Sequence, residues 1–187
     1  MYKNGIKRLL DFLLSLMGII FAALPMLIIS FVIRKEDPGP VLFKQRRVGI
    51  HKTLFTLYKF RSMKMSTPHD VPTHQLENPE QYLLKCGKFI RKYSLDELPQ
   101  LINILKGDMS VIGPRPALWN QEDLIAERDR SGANDVKPGL TGWAQINGRD
   151  ELEIPIKAKL DGEYVKRESF LFDCRCFFRH VFKGTAA

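Results

Sequence analysis

Hydrophobic and polar positions divide this chain sharply near residue 35. Residues 12–33, FLLSLMGIIFAALPMLIISFVI, carry no charged side chain. As one helix they would extend about 33 Å, enough to cross a bilayer. Lys3, Lys7 and Arg8 precede the run, and Arg34 and Lys35 follow it. The positive-inside rule therefore favours neither direction of a simple crossing, and it is met if both ends stay cytoplasmic. Pro25 removes one helical hydrogen bond and predicts a kink. Ser15 and Ser30 can take up freed backbone groups. Two readings stay open, a re-entrant helix-break-helix in one leaflet and a kinked transmembrane helix. A signal peptide fits less well, because the run is long and no small-residue cleavage site precedes Arg34. Asp11 is spaced to pair with Lys7 or Arg8.

Past this segment the periodicity shortens. Glu36-Asp37-Pro38-Gly39-Pro40 is a breaker run. Val41-Leu42-Phe43 and residues 53–60 read as two strands joined near Gly49 to Lys52, a hairpin. Residues 64–80 hold three prolines and read as a loop; its His69 and His74 lack a third ligand for zinc and read as surface residues. A helix is expected over 80–91, and an amphipathic helix opens near Asp96 and stops at Lys106-Gly107. A short strand, Met109 to Ile112, leads into the stiff turn Gly113-Pro114-Arg115-Pro116. Residues 117–132 predict a polar helix with a solvated face. Residues 136–149 predict a folded loop that can offer backbone donors and Arg149 to a phosphate, or stack a base on Trp143. Ile156 to Lys166 predicts a helix. Residues 170–182, with five phenylalanines and with Arg175 and Arg179, suit an amphipathic interface helix or one packed on the core. The expectation is an α+β chain. Residues 1–35 form a basic-flanked membrane helix, and residues 36–187 a compact cytosol-facing domain with short strands and interfacial helices.

Composition narrows the partners. The 187 residues carry a formal net charge of +8, which suits an anionic partner. No recognition helix or zinc pattern points to nucleic acid. Three cysteines, Cys86, Cys174 and Cys176, give no disulfide framework and suit a reducing compartment.

The acids Asp96 and Glu97 are the sharpest chemical signal. Ser94-Leu95-Asp96-Glu97 has capping-box spacing, but a Ser94 cap puts Pro99 at the fifth helical position, at the loss of a hydrogen bond. An Asp96 cap puts Pro99 in the first turn without loss. Either way both carboxylates fall at a helix N-terminus, ionised, beside Arg91 and Lys92. Arg46, Arg47, Lys59 and Arg61 on the hairpin can face a phosphate or lipid headgroups, or form a solvated rim.

LYKFRSM at 57–63, SLDELPQLINILKGDMSVIGPRP at 94–116 and VKPGLTGWAQINGR at 136–149 complete a pattern. With the basic-flanked apolar segment, they make essentially the whole chain resemble the small monotopic phosphoglycosyl transferases. These are bacterial sugar transferases that start glycoconjugate assembly on undecaprenyl phosphate, as in exopolysaccharide, capsule or O-antigen synthesis. The resemblance implies transfer of a sugar-1-phosphate from a UDP-sugar to undecaprenyl phosphate. The products are undecaprenyl-diphosphate-sugar and UMP, and the site is the cytoplasmic face of the inner membrane. It assigns Asp96 as the nucleophile that carries a covalent phosphosugar and sits beside Mg2+, and Glu97 as the group assisting the lipid phosphate. Lys59, Arg61, Arg91, Arg115, Arg149 and Gln145 are the candidate substrate and phosphate contacts. It also implies a re-entrant helix broken at Pro25, although Leu24 stands where some members have serine. Anionic lipids are expected partners, and a homodimer is compatible with the sequence without being required by it. The competing readings are a noncatalytic membrane scaffold and a phosphatase acting on the same substrates.

Overall fold

The computed structural model describes residues 2–67, 78–148 and 152–184. One helix, α1 (Lys7–Glu36), dominates it and follows a single π-helical turn over Tyr2–Ile6. Pro25 lies inside α1, and the helix runs through it. Ile20, Phe21, Leu24, Leu27, Ile28 and Phe31 are exposed. They form an uncovered apolar face, as expected of a helix whose solvent on that side is lipid.

The opposite side of α1 is seated on the domain, by different means at its two ends. Lys7, Asp11 and Ser15, at helical spacing, are buried. The Lys7 ammonium donates to Asp173 and to the Tyr164 hydroxyl, and Asp11 accepts from the Val111 amide at 2.9 Å. Arg8 donates to the carbonyls of Ile104 and Leu105. The sequence expectation of an Asp11 pairing with Lys7 or Arg8 is therefore not what forms, because each of the three finds a partner far along the chain. At the other end Met26, Ile29 and Ile33 pack with Phe60, Leu84 and Ile90. Both ends of α1 thus hold the same globular domain. The fold is α+β with one long apolar N-terminal helix, Lys7–Glu36, long and apolar enough to cross a membrane.

The hairpin forms as patterned. Strands β1 (Leu42–Val48) and β2 (Leu54–Phe60) pair antiparallel, Leu42 opposite Phe60 and Val48 opposite Leu54. Helix α2 (Lys85–Lys92) follows, then α3 (Gln100–Lys106), which ends at Gly107 with φ 96°, a conformation glycine adopts without steric cost. Asn103, fully buried, docks α3 on β2. Its Oδ1 accepts from the Tyr58 amide at 3.0 Å, and its Nδ2 donates to the Thr56 carbonyl at 2.7 Å. One side chain thereby satisfies a strand donor and a strand acceptor that would otherwise be buried without partners.

Two short strands, β3 (Ser110–Ile112) and β4 (Gly139–Thr141), pair in parallel. Between them runs α4 (Glu122–Asp129); α5 (Trp143–Ile146), α6 (Ile154–Arg167) and α7 (Phe170–Gly184) complete the fold. The β3–β4 contact is tight enough to require glycine, since a Cβ on Gly139 would stand 2.1 Å from the Gly113 nitrogen. The polar helix α4 departs from the solvated-face expectation at one residue. Arg128 is 4% exposed and donates twice to Asp161 Oδ2 on α6. Helix α7 buries Phe172, Asp173 and Cys176 and leaves Leu171, Phe178 and Phe182 exposed, so it is amphipathic and covers both of its expected roles.

Candidate active site

Asp96 and Glu97 do not open a regular helix. They lie in a 3-10 turn, Leu95–Glu97, between α2 and α3. Ser94 makes no side-chain cap; its backbone is left-handed, with φ 55°. The amides of Glu97, Leu98, Leu101 and Ile102 each bond three residues back. Pro99, immediately before α3, has no amide to offer this ladder, so the tighter 3-10 spacing carries the chain past it.

The two adjacent carboxyls meet opposite surroundings. Lys59 Nζ on β2 donates to Glu97 Oε1 at 2.7 Å, and Arg115 donates to the same oxygen at 3.1 Å. Burial alone would raise the Glu97 carboxyl; the charges of Arg115 and Lys59 outweigh it and bring the pKa down to about 2. Among the described residues no side chain donates a hydrogen bond to Asp96, which is 9% exposed. Burial raises its carboxyl, the Lys59 charge opposes that, and Glu97 adds to it.

The backbone around Arg115 is held on both sides. The Pro114 carbonyl accepts from the Gly139 amide at 2.8 Å, and the Pro116 carbonyl accepts from Arg47 at 2.9 Å. The Ala117 carbonyl accepts from the Val48 amide at 3.0 Å. The stiffness read from the two prolines is thus reinforced by β1 and β4. Arg91, exposed at the end of α2, donates through Nε to the Ser62 hydroxyl at 2.8 Å and contributes positive charge at Asp96.

The remaining expected residues fall elsewhere. Arg61 is 6% exposed and donates to the Pro40 carbonyl and to the carboxylate and carbonyl of Asp37. It ties the end of α1 to the end of β2. Gln145 is buried in α5, where Nε2 donates to the Leu140 carbonyl at 3.3 Å and Oε1 lies toward Gly142. Arg149, His69 and His74 lie outside the described residues. Trp143 is buried, its indole N–H donating to Glu163 and its ring covered by arginines; that arrangement leaves no open face for a base.

Residues that sequence reasoning passed over are Ser62 and Asn103, and Arg47, read from the sequence as a phosphate, headgroup or rim residue, instead braces the Pro116 carbonyl. Which partner each takes depends on chain segments 29 to 69 residues away.

For a metal, the fit is that of a hard oxygen site. Among the described residues no group of three or more His, Cys, Asp or Glu gathers. Magnesium asks for less, as it commonly takes one or two carboxylates and completes its shell with water and substrate phosphate oxygens. Asp96, a buried carboxylate with no side-chain donor on it among the described residues, suits that mode.

Comparison with known proteins gives a consistent picture. A family model described as bacterial sugar transferase matches residues 2–186. The chain is 43% identical over 170 residues to the uncharacterized sugar transferase EpsL of Bacillus subtilis, covering 91% of this chain and 82% of that one. It is 38% identical to a UDP-glucose:undecaprenyl-phosphate glucose-1-phosphate transferase of Escherichia coli, covering 97% of this chain and 41% of the relative. It is 36% identical to an undecaprenyl-phosphate galactose phosphotransferase of Salmonella typhimurium, covering 93% and 39%. The chain therefore spans about two-fifths of the length of the latter two.

Proposed function

Since this chain belongs to the bacterial sugar transferase family, we propose that it transfers a sugar-1-phosphate from a UDP-sugar to undecaprenyl phosphate through a phosphosugar held on Asp96. The observation that carries this reading is the contrast between the two acids. Glu97 is engaged by two cations, while Asp96, beside it, is buried with no side-chain donor among the described residues. A carboxylate not committed to a salt bridge keeps its lone pairs for attack.

In the first half-reaction an Asp96 oxygen attacks the phosphorus that bears the sugar. The bond from that phosphorus to the bridging oxygen breaks, and UMP departs with the electron pair. In the second, an oxygen of the lipid phosphate attacks the same phosphorus and Asp96 leaves as carboxylate. No proton transfer is needed when the lipid phosphate is dianionic. The local obstacle is charge, since two anions must approach each other. Lys59, Arg115 and Arg91 supply positive charge at that point, and Arg115 does so from a backbone clamped by β1 and β4. Glu97 holds Lys59 and Arg115 in place rather than trading a proton, in keeping with its low pKa. Magnesium at Asp96 would supply further charge neutralisation on the diphosphate. We leave Arg61 and Gln145 out of the phosphate set and read them as supports of the site; Arg149 keeps the phosphate role its motif suggests.

The test uses the full chain in nanodiscs with magnesium and a panel of UDP-sugars that includes UDP-glucose and UDP-galactose. UMP release is measured with and without undecaprenyl phosphate, and intact mass is followed for a phosphosugar adduct. Lipid-dependent release with one donor, and an adduct lost in Asp96→Asn, is the expected result. Release that is independent of the lipid, with water as acceptor, would make the protein a phosphatase. No release and no adduct from folded protein would leave a membrane scaffold.

A further inference from the structure

Three guanidinium groups converge on one indole away from the acid pair. Arg167, at the end of α6, and Arg175 and Arg179, on α7, lie 5.4, 5.9 and 5.5 Å from the centre of the Trp143 ring. Arg167 also covers Phe172 at 4.2 Å. Among the described residues none of the three arginines forms an ion pair. Glu163 accepts from the indole N–H. Like charges gathered this closely repel; the ring face offsets part of that repulsion through its quadrupole, and an anion would offset more.

The location says which anion. Leu171, Phe178 and Phe182 form an exposed apolar face on α7, and Arg175 and Arg179 border it on the helix surface. The start of α7 meets the start of the membrane helix, where the Tyr2 ring packs on Phe170 and the Tyr2 hydroxyl donates to Asp173. With the α7 apolar face in the acyl boundary beside α1, the guanidiniums stand at headgroup depth, their stems along the helix and their charged ends toward the phosphates. Guanidinium forks match phosphate oxygens in pairs.

We infer that Arg167, Arg175 and Arg179, arrayed around Trp143, form a seat for the headgroup phosphate of an anionic phospholipid, distinct from the acid pair at Asp96 and Glu97. The seat rests on the membrane placement of α1 and α7 and not on the transfer reaction, so its test does not use turnover.

The experiment is native mass spectrometry of the full chain in mild detergent, titrated with phosphatidylglycerol or phosphatidylcholine. The wild type should retain phosphatidylglycerol at least about fivefold more than phosphatidylcholine, a preference of about 1 kcal/mol. Arg175→Gln/Arg179→Gln should lose that preference while its circular dichroism and thermal midpoint stay the same. Lys44→Gln/Lys159→Gln removes two exposed charges elsewhere and should keep it. Equal loss in both variants would show bulk charge at work and overturn the seat, as would retention in the arginine variant. Displacement of phosphatidylglycerol by an equimolar amount of undecaprenyl phosphate in wild type alone would assign the arginines to the acceptor and overturn the phospholipid assignment.

Discussion

Arg128 with Asp161, and Lys59 and Arg115 with Glu97, are both clusters of acid and base inside one small domain, yet they are finished differently. The first joins α4 to α6 with side chains 4% and 1% exposed, one guanidinium on one carboxylate. The second joins β2 and the 113–116 turn to the segment before α3, and the adjoining Asp96 has no side-chain donor among the described residues. In the first, charge is balanced by protein alone and no ligand has a way in. In the second, two cations answer one acid, and at the other acid burial outweighs the opposing charges of Lys59 and Arg91. Burial raises Asp161 as well, so what sets the second cluster apart is a surplus of positive charge beside a carboxylate that is in no ion pair among the described residues, which suits phosphate chemistry.

Substitutions should pull the two clusters apart. The largest effect is expected at Asp96. Asp96→Asn should cut UMP release by about 10³-fold or more. The same change should raise the thermal midpoint by about 2–4 °C, the shift that corresponds to roughly 1 kcal/mol in a chain of this size. Lower activity together with a lower midpoint would contradict a carboxylate held at a cost. Next in size is Asp161→Ala, which strands Arg128 in the core. Denaturant unfolding should show a loss of about 3 kcal/mol, with turnover per folded molecule unchanged. For Glu97→Gln, release should fall by about 10²-fold, the scale of one lost preorganised contact. An adduct that still forms but no longer passes to the lipid would place Glu97 in the second half-reaction instead.

The smallest effect is on pH dependence, and its sign differs between the neighbours. Glu97 titrates near 2 when folded, against an ordinary value of 4.5. It therefore adds stability that is complete above about 4.5 and fades as pH falls toward 2. Asp96 is raised, so its ionised form weighs against the fold, and that burden lifts as pH falls through its folded value. Unfolding followed from pH 6 to pH 2 should lose part of its acid limb in Glu97→Gln. A limb unchanged by that substitution would mean the Lys59 and Arg115 contacts contribute no net stability.

The comparison also shows what a sequence can carry. Asp96-Glu97 and the turn around Arg115 are legible because neighbours in the chain set their geometry: two acids side by side, and one arginine between two prolines. The apolar face of α1, the hairpin and the stop at Gly107 are legible for the same local reason. Arg61 and Arg128 are not. Arg61 reads as a phosphate contact and Arg128 as part of a solvated face, and only the folded chain brings Asp37 to one and Asp161 to the other. The helix expected at Asp96 begins later because Pro99 alters the hydrogen-bond spacing, an effect that pattern alone locates only to within a few residues.

The seat of α1 has a consequence for how the protein is made. Lys7 leaves the ribosome well before its partners Tyr164 and Asp173, which come 157 and 166 residues later. Until then the nascent helix carries an ammonium and a carboxylate, at Lys7 and Asp11, with no permanent counterpart. Bilayer insertion and cytoplasmic folding are therefore not successive stages. The anchor reaches its resting place only when the distal helices fold against it, and a ribosome stalled before α6 would hold a membrane helix whose polar edge is still waiting for its other half.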